Sequence, residues 1–465
     1  GTMTLGSINF NAGSTLRIDV NSSEQSDLID VVNNVQIGDG ANLYVNVIGD
    51  ESEYADKKTY QIITAGNSLS ILNPANIGIF NTELSNLRLI SNLYRSGRSI
   101  FLSIYQAFSE YELPGATKNQ QAMLDVLNSI HANYEDSMQD TLNKVDEAYL
   151  SGTAEFVNAM QDLSGIFYAN SFEASALLSK VDMVYNRLDD IGSTQHRIWG
   201  QAYTNNNSVS ENKYNPKFEN NVTGMIMGYD MLQEDDSLFG FSCFYGTGEL
   251  KQLNDKADVS DFGANAYTVY NYDQFTVKGL AGIGIQNYDA TRTLNFINGN
   301  TINTKYTVNV INIDAEGTYN YAINSYLMLK PFVGLNFAIV SNDSFQENSV
   351  YEQNLKIDAK SYTKSEVRAG VGVANNAASK FNWHVSAFLK QIVDGEKSAM
   401  TASFVNVPDE KFVIEGTELP KTSIYGNLGC SYDIGFNVNV FVDLSSNMGS
   451  GLNSQTGTVG ALYRW

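Results

Sequence analysis

Little in this sequence could cross-link, kink or hold a metal. Only 6 of its 465 residues are proline, 3 are histidine, 3 are tryptophan and 2 are cysteine. Cys243 and Cys430 lie in unrelated segments without metal-ligand spacing, which excludes a disulfide scaffold and a zinc module. Positive charge is scarce too: 29 Lys and Arg stand against 51 Asp and Glu, a formal charge of −22. A polyanion needs a basic track to displace its counterions, so nucleic acid is excluded as a partner. Charged residues make up only 17% of the chain, which is light for a soluble surface. Long apolar runs are missing as well. No stretch approaches the roughly 18 apolar residues of a transmembrane helix, so any membrane crossing has to be made by a closed β-barrel.

The opening "GTMTLGSINF" has neither a basic n-region nor an apolar h-region. It reads as a cloning scar or the cut edge of a longer protein rather than a natural start, and its lack of a leader says nothing about compartment.

What is present falls into three periodicities. Residues 1–105 carry short β-branched segments such as "STLRIDV", "ANLYVNVIG", "TYQIITAG" and "SIFLSIYQ", separated by Gly, Asn, Asp and Ser clusters. Short strands at this spacing fit the stacked rungs of a β-helix or a small sandwich. From about residue 106 the apolar spacing becomes helical. Met123, Leu124, Leu127 and Ile130 form one stripe; Leu177, Leu178, Val181, Val184 and Leu188 form another.

From His196 to the end the period is 2, and twelve strands can be read. Short turns ("QEDD", "DQ", "INS", "NAAS", "IG") alternate with long polar stretches at 205–217, 250–258, 289–303, 342–362, 394–419 and 447–454. Outer-membrane barrels alternate their connections in this way, and an even strand count places both barrel ends on the periplasmic side. The closing "TGTVGALYRW" sets Val459, Ala461, Tyr463 and Trp465 on one face and Thr458, Gly460, Leu462 and Arg464 on the other.

The faces sort as a bilayer requires. In the fifth strand Phe275, Val277, Ala281, Ile283 and Ile285 point one way, whereas Thr276, Lys278, Gly282, Gly284 and Gln286 point the other. Charges that cost about 2–4 kcal/mol on the lipid face at the midplane thus fall inside. The inward set comprises Asp230, Lys278, Asp314, Glu316, Lys330, Glu366, Arg368, His384, Lys390, Asp443 and Arg464. Many inward positions are glycine, which implies a close-fitting occupant of the lumen, a helix being the obvious candidate. Cys243 and Cys430 fall on lipid-facing sides of distant strands, out of disulfide reach.

The order of β-rungs, then helices with "TKNQQAMLDVL" and "MQDLSGIFYANSF", then "WGQAYTN", "GMIMGYDM", "GLAGIGI", "KPFVGLNF" and "RAGVGV", ending on an aromatic, resembles the C-terminal half of a monomeric, type Va autotransporter. The resemblance covers nearly the whole chain. Its most specific parts are Leu163–Gly165, the Trp199-Gly200-Gln201 opening and the terminal aromatic, which here is Trp465 where Phe is commoner.

The fold it implies is mainly β: a 12-stranded antiparallel transmembrane barrel preceded by a helical linker with a pore helix and an N-terminal β-helix-like stem. The expected organisation is a passenger stem with an autochaperone role over 1–105, a helical linker over 106–170, a pore-threading helix over 171–195 and the translocator barrel over 196–465. The implied location is the bacterial outer membrane with the stem at the cell surface. Within the pore helix, Lys180, Asp182, Arg187, Asp189 and Asp190 are the candidate partners of the lumen charges. The alternative is a hydrated network such as any barrel lumen contains, since desolvated charges need partners in either case. Val459, Tyr463 and Trp465 resemble the signal read by the barrel-assembly machinery. Outer-membrane lipid, lipopolysaccharide and periplasmic chaperones are the other implied partners, and the chain is expected to be monomeric.

No cofactor, metal or catalytic residue is expected. Some autotransporters cut their linker helix at an Asn-Asn pair. The pairs here, at 33–34, 220–221 and 375–376, and the run at 205–207, lie away from the expected helix, where Asn170 and Asn186 stand alone. A cut driven by acidic residues of the barrel stays open. His131, His196 and His384 are scattered, with no Gly-flanked nucleophile near them in sequence. A second function class is a plain outer-membrane channel with a periplasmic N-terminal domain, which would have no use for helices directly before the first strand.

Overall fold

The structure is a computed structural model of residues 1–465, described here except at 73–78, 86–87, 134–136, 179, 189–195, 212–214, 233–236 and 376–379. The chain forms two compact units, one of residues 1–113 and 142–153, the other of 114–141 and 154–465.

The first unit is a stack of parallel rungs. Thr2–Leu5 pairs in parallel with Leu28–Val31, which pairs with the strand at Lys58–Ala65. Ile8–Phe10, Asn34–Gly38 and Ser68–Leu72 form a second wall, and Thr15–Asn21, Asn42–Ile48 and Asn81–Leu84 a third. Alternation in "TLRIDV" sends Leu16, Ile18 and Val20 inward. They join Val31, Val35, Ile37, Val45, Ile62 and Ile63 in one apolar core. Side-chain amides bond from rung to rung at the corners: Asn67 donates to Asn33 (3.2 Å) and Asn81 to Asn42 (3.2 Å). An antiparallel hairpin, Leu89–Ser96 and Ser99–Gln106, ends the stack. The helix of residues Gln139–Ser151 (α2 below) closes this unit through Asp146, which holds the buried Arg88 at 3.2 Å and accepts from Tyr111 Oη at 2.6 Å. Burial, then the Asp146 charge, pushes the Tyr111 phenol far above its ordinary pKa.

The second unit is built on twelve strands: β1 (Arg197–Val209), β2 (Phe218–Leu232), β3 (Leu238–Gln252), β4 (Asp255–Tyr272), β5 (Phe275–Leu294), β6 (Asn300–Tyr319), β7 (Leu327–Asn342), β8 (Lys360–Asn375), β9 (Phe381–Asp394), β10 (Thr422–Gly435), β11 (Val438–Gly449) and β12 (Leu452–Arg464). Each pairs antiparallel with its neighbour, and β1 closes on β12 from Arg197↔Arg464 to Val209↔Leu452. The β6–β7 pairing completes the ring. The outer wall is apolar along its height: Phe239, Phe241, Ile283, Val333, Leu335, Leu428 and Val459 are all exposed. Cys243 and Cys430 are free thiols on that same wall. Among the described residues no helix is long and apolar enough to cross a membrane, which leaves the strands unaffected.

Two expectations change. First, several stretches read as long loops are strand. The β3–β4 turn is only Leu253–Asn254, with Leu253 in the left-handed region (φ 52°), and the β11–β12 turn is only 450–451. β5 and β6 run 20 residues each, about twice the 9–11 that cross a bilayer. Beyond the membrane both faces are wet, so the apolar/polar alternation fades while the backbone ladder continues. Second, although a helix does occupy the lumen, several inward glycines seat side chains of adjacent strands. A Cβ at Gly228 would overlap the Trp199 indole, one at Gly240 the Tyr267 ring, and one at Gly460 the Phe441 ring.

The helices are α1 (Lys118–Asn133), α2 (Gln139–Ser151), α3 (Thr153–Ser164), α4 (Ile166–Leu177) and α5 (Val181–Leu188). The loops after β7 and β9 build a four-stranded sheet from Phe345–Gln346, Leu355–Ile357, Ala399–Phe404 and Val407–Glu415. Beside it α1 is held through Asn119, which donates to Glu415 O (2.8 Å), and Lys118, 3.3 Å from the Glu415 carboxylate. Burial raises the Glu415 carboxyl, but the ammonium groups of Lys397 and Lys118 outweigh it and leave the group below its ordinary pKa.

Candidate functional site: the barrel lumen and its helix

The segment before β1 runs through the barrel. The described residues form not the single helix expected over 171–195 but two, α4 at the loop end, which ends at Leu177, and α5 toward the short-turn end, which starts at Val181. Residues 166 to 176 of α4 are all buried, the pattern of a helix enclosed on every side. Gly165 caps it in the left-handed conformation (φ 64°), and a Cβ there would press on Leu355 at 2.6 Å. That accounts physically for a glycine at the end of the Leu163–Gly165 stretch. α5 is two-sided. Val181, Val184, Tyr185 and Leu188 pack with Trp199, Tyr203, Ile226, Phe244, Tyr267 and Leu280 of the wall, while Asp182 and Asn186 look the other way, into a polar cavity.

Charge pairs pin both segments. Near the short-turn end the Arg187 guanidinium makes a two-pronged bond to Asp230 (2.8 and 3.0 Å). Asp230 also accepts from Tyr267 Oη (2.6 Å) and Trp199 Nε1 (3.2 Å), with Arg197 at 3.4 Å. The Arg187 cation lies over the Trp199 ring, 4.1 Å from its centroid, a favourable geometry. Higher up, Lys180 meets Asp261 at 2.9 Å, between the rings of Tyr203 and Phe244. On the polar side Asp182 accepts from Lys390 (2.9 Å), which sits 3.7 Å from Glu366.

Of the residues singled out from sequence, Arg187 and Asp230 come together, as do Asp182 and Lys390, and Lys180 finds Asp261. Lys278, Asp314, Glu316 and Arg368 bind one another: Arg368 is bidentate to Asp314 (2.6 and 2.8 Å) and reaches Glu316 at 3.1 Å, and Lys278 is 3.3 Å from Glu316. The helix meets this group through the Tyr185 ring, over which Lys278 and Arg368 lie at 5.4 and 5.7 Å. His384 sits 3.0 Å from Asp443 across the wall. Lys330 is half-buried on β7, and Arg464 faces inward toward Asp433 at 3.9 Å. Val459 and Tyr463 face outward, and Trp465 stacks on Tyr229 with ring centroids 5.7 Å apart. Asp189 and Asp190 lie outside the described residues.

One cluster escaped the sequence reading. At the loop end Arg292 makes a buried two-pronged bond to Glu347 (2.6 and 2.7 Å) and donates to the carbonyls of Asp162 (2.6 Å) and Gln353 (2.8 Å). Tyr168 of α4 donates to the same carboxylate. Asn170, also on α4, donates to Gln252 (2.6 Å) and accepts from the Thr417 amide (2.7 Å). Arg292 and Glu347 fall in stretches that read as solvated loop, so their charge gave no inward signal.

A twelve-stranded barrel filled by the segment that precedes it matches a known family. The model of the autotransporter β-domain fits residues 198–445, more than half the chain. The chain belongs to the autotransporter β-domain family. It is therefore a bacterial outer-membrane translocator barrel, a transport domain, with its short turns at the periplasmic end. Among curated relatives, Outer membrane protein B of Rickettsia prowazekii (strain Madrid E) is 20% identical over 67% of this chain and 19% of its own length. Outer membrane protein A of Rickettsia conorii (strain ATCC VR-613 / Malish 7) is 23% identical over 34% of this chain and 8% of its own. The chain thus spans less than a quarter of the relatives it matches. Among solved structures, the translocator domain of the autotransporter NalP from Neisseria meningitidis superposes with a TM-score of 0.53 at 16% identity, covering 65% of this chain and all of that one. That likeness shows the fold.

Proposed function

We propose that this autotransporter barrel exports its own N-terminal β-helical unit and then anchors it at the cell surface. The course of the chain carries the reading. From the periplasmic start of β1 it runs back through the lumen as α5, reaches the loop end as α4, and continues into α3 among the outer loops, where Asp162 accepts from the backbone amides of Asn295 (2.6 Å) and Phe296 (3.1 Å). Whatever precedes α3 therefore has the outer side of the membrane before it. The apolar core of the rung stack forms only once that segment is out, and its burial favours the exported state without nucleotide. A lumen occupied by α5 counts against the plain channel.

The same reading assigns Val459, Tyr463 and Trp465 to recognition by the barrel-assembly machinery, periplasmic chaperones to the unfolded transit, and lipid and lipopolysaccharide to the outer wall. The barrel acts as a monomer, and no chemical step is assigned to it. An epitope placed in the exposed turn at Gly97 tests the topology. Antibody should bind it on intact cells. Binding only after the outer membrane is opened would place the rung stack in the periplasm and refute the proposal.

A further inference from the structure

The rung stack ends on an open edge. Its first wall runs in the order Thr2–Leu5, Leu28–Val31, Lys58–Ala65, Ser99–Gln106 and Leu89–Ser96, so the last of these has a strand on one side only. Among the described residues, the backbone of 90–96 bonds to nothing outside its hairpin. Unpaired strand edges invite another strand, and proteins blunt them with lysine, proline, bulges or brevity. This one has eight residues in unbroken register, without proline or lysine. Its one charge, Arg95, is folded back onto Gly97 O (2.9 Å). On the outward face Ile90 pairs with Tyr105, and Tyr94 stacks on Phe101 with ring centroids 5.4 Å apart. Ile90, Tyr94 and Tyr105 remain 41%, 40% and 36% exposed.

The charge pattern says what fits there. The chain carries 51 acidic residues, yet residues 88–106 include none. High net charge of one sign keeps copies of a protein apart, and this edge is free of that repulsion. The strand is also self-complementary. An antiparallel pair with its two-fold axis at Asn92 sets Ile90 opposite Tyr94 of the second copy, twice, and Asn92 opposite itself. One apolar strip then crosses four strands, in the order Tyr105, Ile90, Tyr94 and Phe101.

We propose that the rung stacks of two chains pair edge to edge through residues 89–95, about a two-fold axis at Asn92. The inference rests on the export reading, which puts the stack outside the cell, and it leaves each barrel a monomer in the membrane. Seven residues at 3.3 Å make an edge about 23 Å long and, at about 10 Å deep, cover about 230 Å² on each side. That is less than holds freely diffusing proteins together. Barrels anchored in one membrane supply the missing effective concentration, so the pairing belongs to the populated membrane and not to dilute protein.

The test uses the full chain on intact cells, with Cys243→Ser and Cys430→Ser. Asn92→Cys lies on the axis, where facing Cα atoms are about 4.5–5.5 Å apart, within disulfide reach. Ser96→Cys shares its face but stands about 26 Å from its counterpart in this register. Mild oxidation should link Asn92→Cys chains into dimers and leave Ser96→Cys chains single. Ile90→Lys with Tyr94→Lys opposes like charges twice and should cut the Asn92→Cys dimer about tenfold. Coexpression with a chain carrying Ile90→Glu and Tyr94→Glu should restore it. An unchanged rate of proteolysis of residues 1–113 verifies that each variant is folded. No dimer at Asn92→Cys, equal dimer at Ser96→Cys, linkage of Asn92→Cys to a different protein instead, or a lysine pair without effect would each overturn the pairing. Asp39→Cys, labelled on intact cells by a membrane-impermeant maleimide, reads export separately. Label there with no dimer refutes the pairing alone, whereas no label refutes the export reading on which it rests.

Discussion

The Arg187–Asp230 node makes an asymmetric prediction. Asp230 is fully buried and serves two buried cations, Arg187 from the helix and Arg197 from the wall, along with the Tyr267 and Trp199 donors. Asp230→Asn strands both guanidinium groups in a dry setting. Removing one partner of a buried pair costs about 3–5 kcal/mol, and here two cations lose it, so the upper end applies. Arg187→Ala is milder. Asp230 keeps Arg197, Tyr267 and Trp199, and the loss is that of charge-assisted bonds, about 1.5–3 kcal/mol. Urea titration of the detergent-solubilised chain, scored by heat-modifiable migration, reads the barrel, and protease protection of α5 reads the seated helix. The expected order is Asp230→Asn well below Arg187→Ala below the parent. Lys305→Ala, which removes the exposed partner of Asp289, should leave both readouts unchanged. Equal effects of Asp230→Asn and Arg187→Ala, or effects no larger than Lys305→Ala, would show that the node does not hold the helix.

Gly228→Leu should lower the folded fraction, since overpacking costs about 1–3 kcal/mol and the Trp199 indole occupies the space; the heat-modifiable share of membrane protein measures it. Arg292→Met leaves Glu347 buried without its cation and should expose residues 343–359 to protease while the barrel still migrates as folded. Asp146→Ala should destabilise the rung stack by up to about 3–5 kcal/mol by taking the carboxylate from the buried Arg88, read as faster proteolysis of residues 1–113 with the barrel unaffected. Because the folded-state pKa of Glu415 is depressed, its contribution to holding α1 is present above the ordinary carboxylate range. It fades as pH falls through the folded value, so protease cleavage within α1 should rise on acidification and not on alkalinisation.

The barrel was legible because a bilayer writes a simple rule into each strand. Val277 out and Lys278 in, or Val367 out and Arg368 in, need no tertiary information to be read. The rule stops where lipid stops. Above the membrane, Lys251, Lys256 and Asp258 look like loop although they stand in β3 and β4, and Arg292 and Glu347 look solvated although both are buried. Pair partners were only partly legible. Facing inward is a property of one strand, but Arg187 choosing Asp230, or Lys278 choosing Glu316, depends on the helix height within the ring. The end of α4 at Leu177 and the start of α5 at Val181 leave no mark in the sequence for a related reason, because the apolar stripe from Leu177 to Leu188 runs across both. An inward glycine shows in sequence only as missing volume, and what fills it is not legible: at Gly228, Gly240 and Gly460 the space is taken by Trp199, Tyr267 and Phe441 of adjacent strands.

The central claim is that the chain passes through its own barrel and leaves the rung stack outside. Protease added to intact cells, followed by electrophoresis of unheated and heated membranes, tests it directly. The account predicts that residues 1–113 are accessible to protease from outside while a heat-modifiable C-terminal fragment survives. A rung stack protected until the outer membrane is broken, beside an equally well folded barrel, would contradict it.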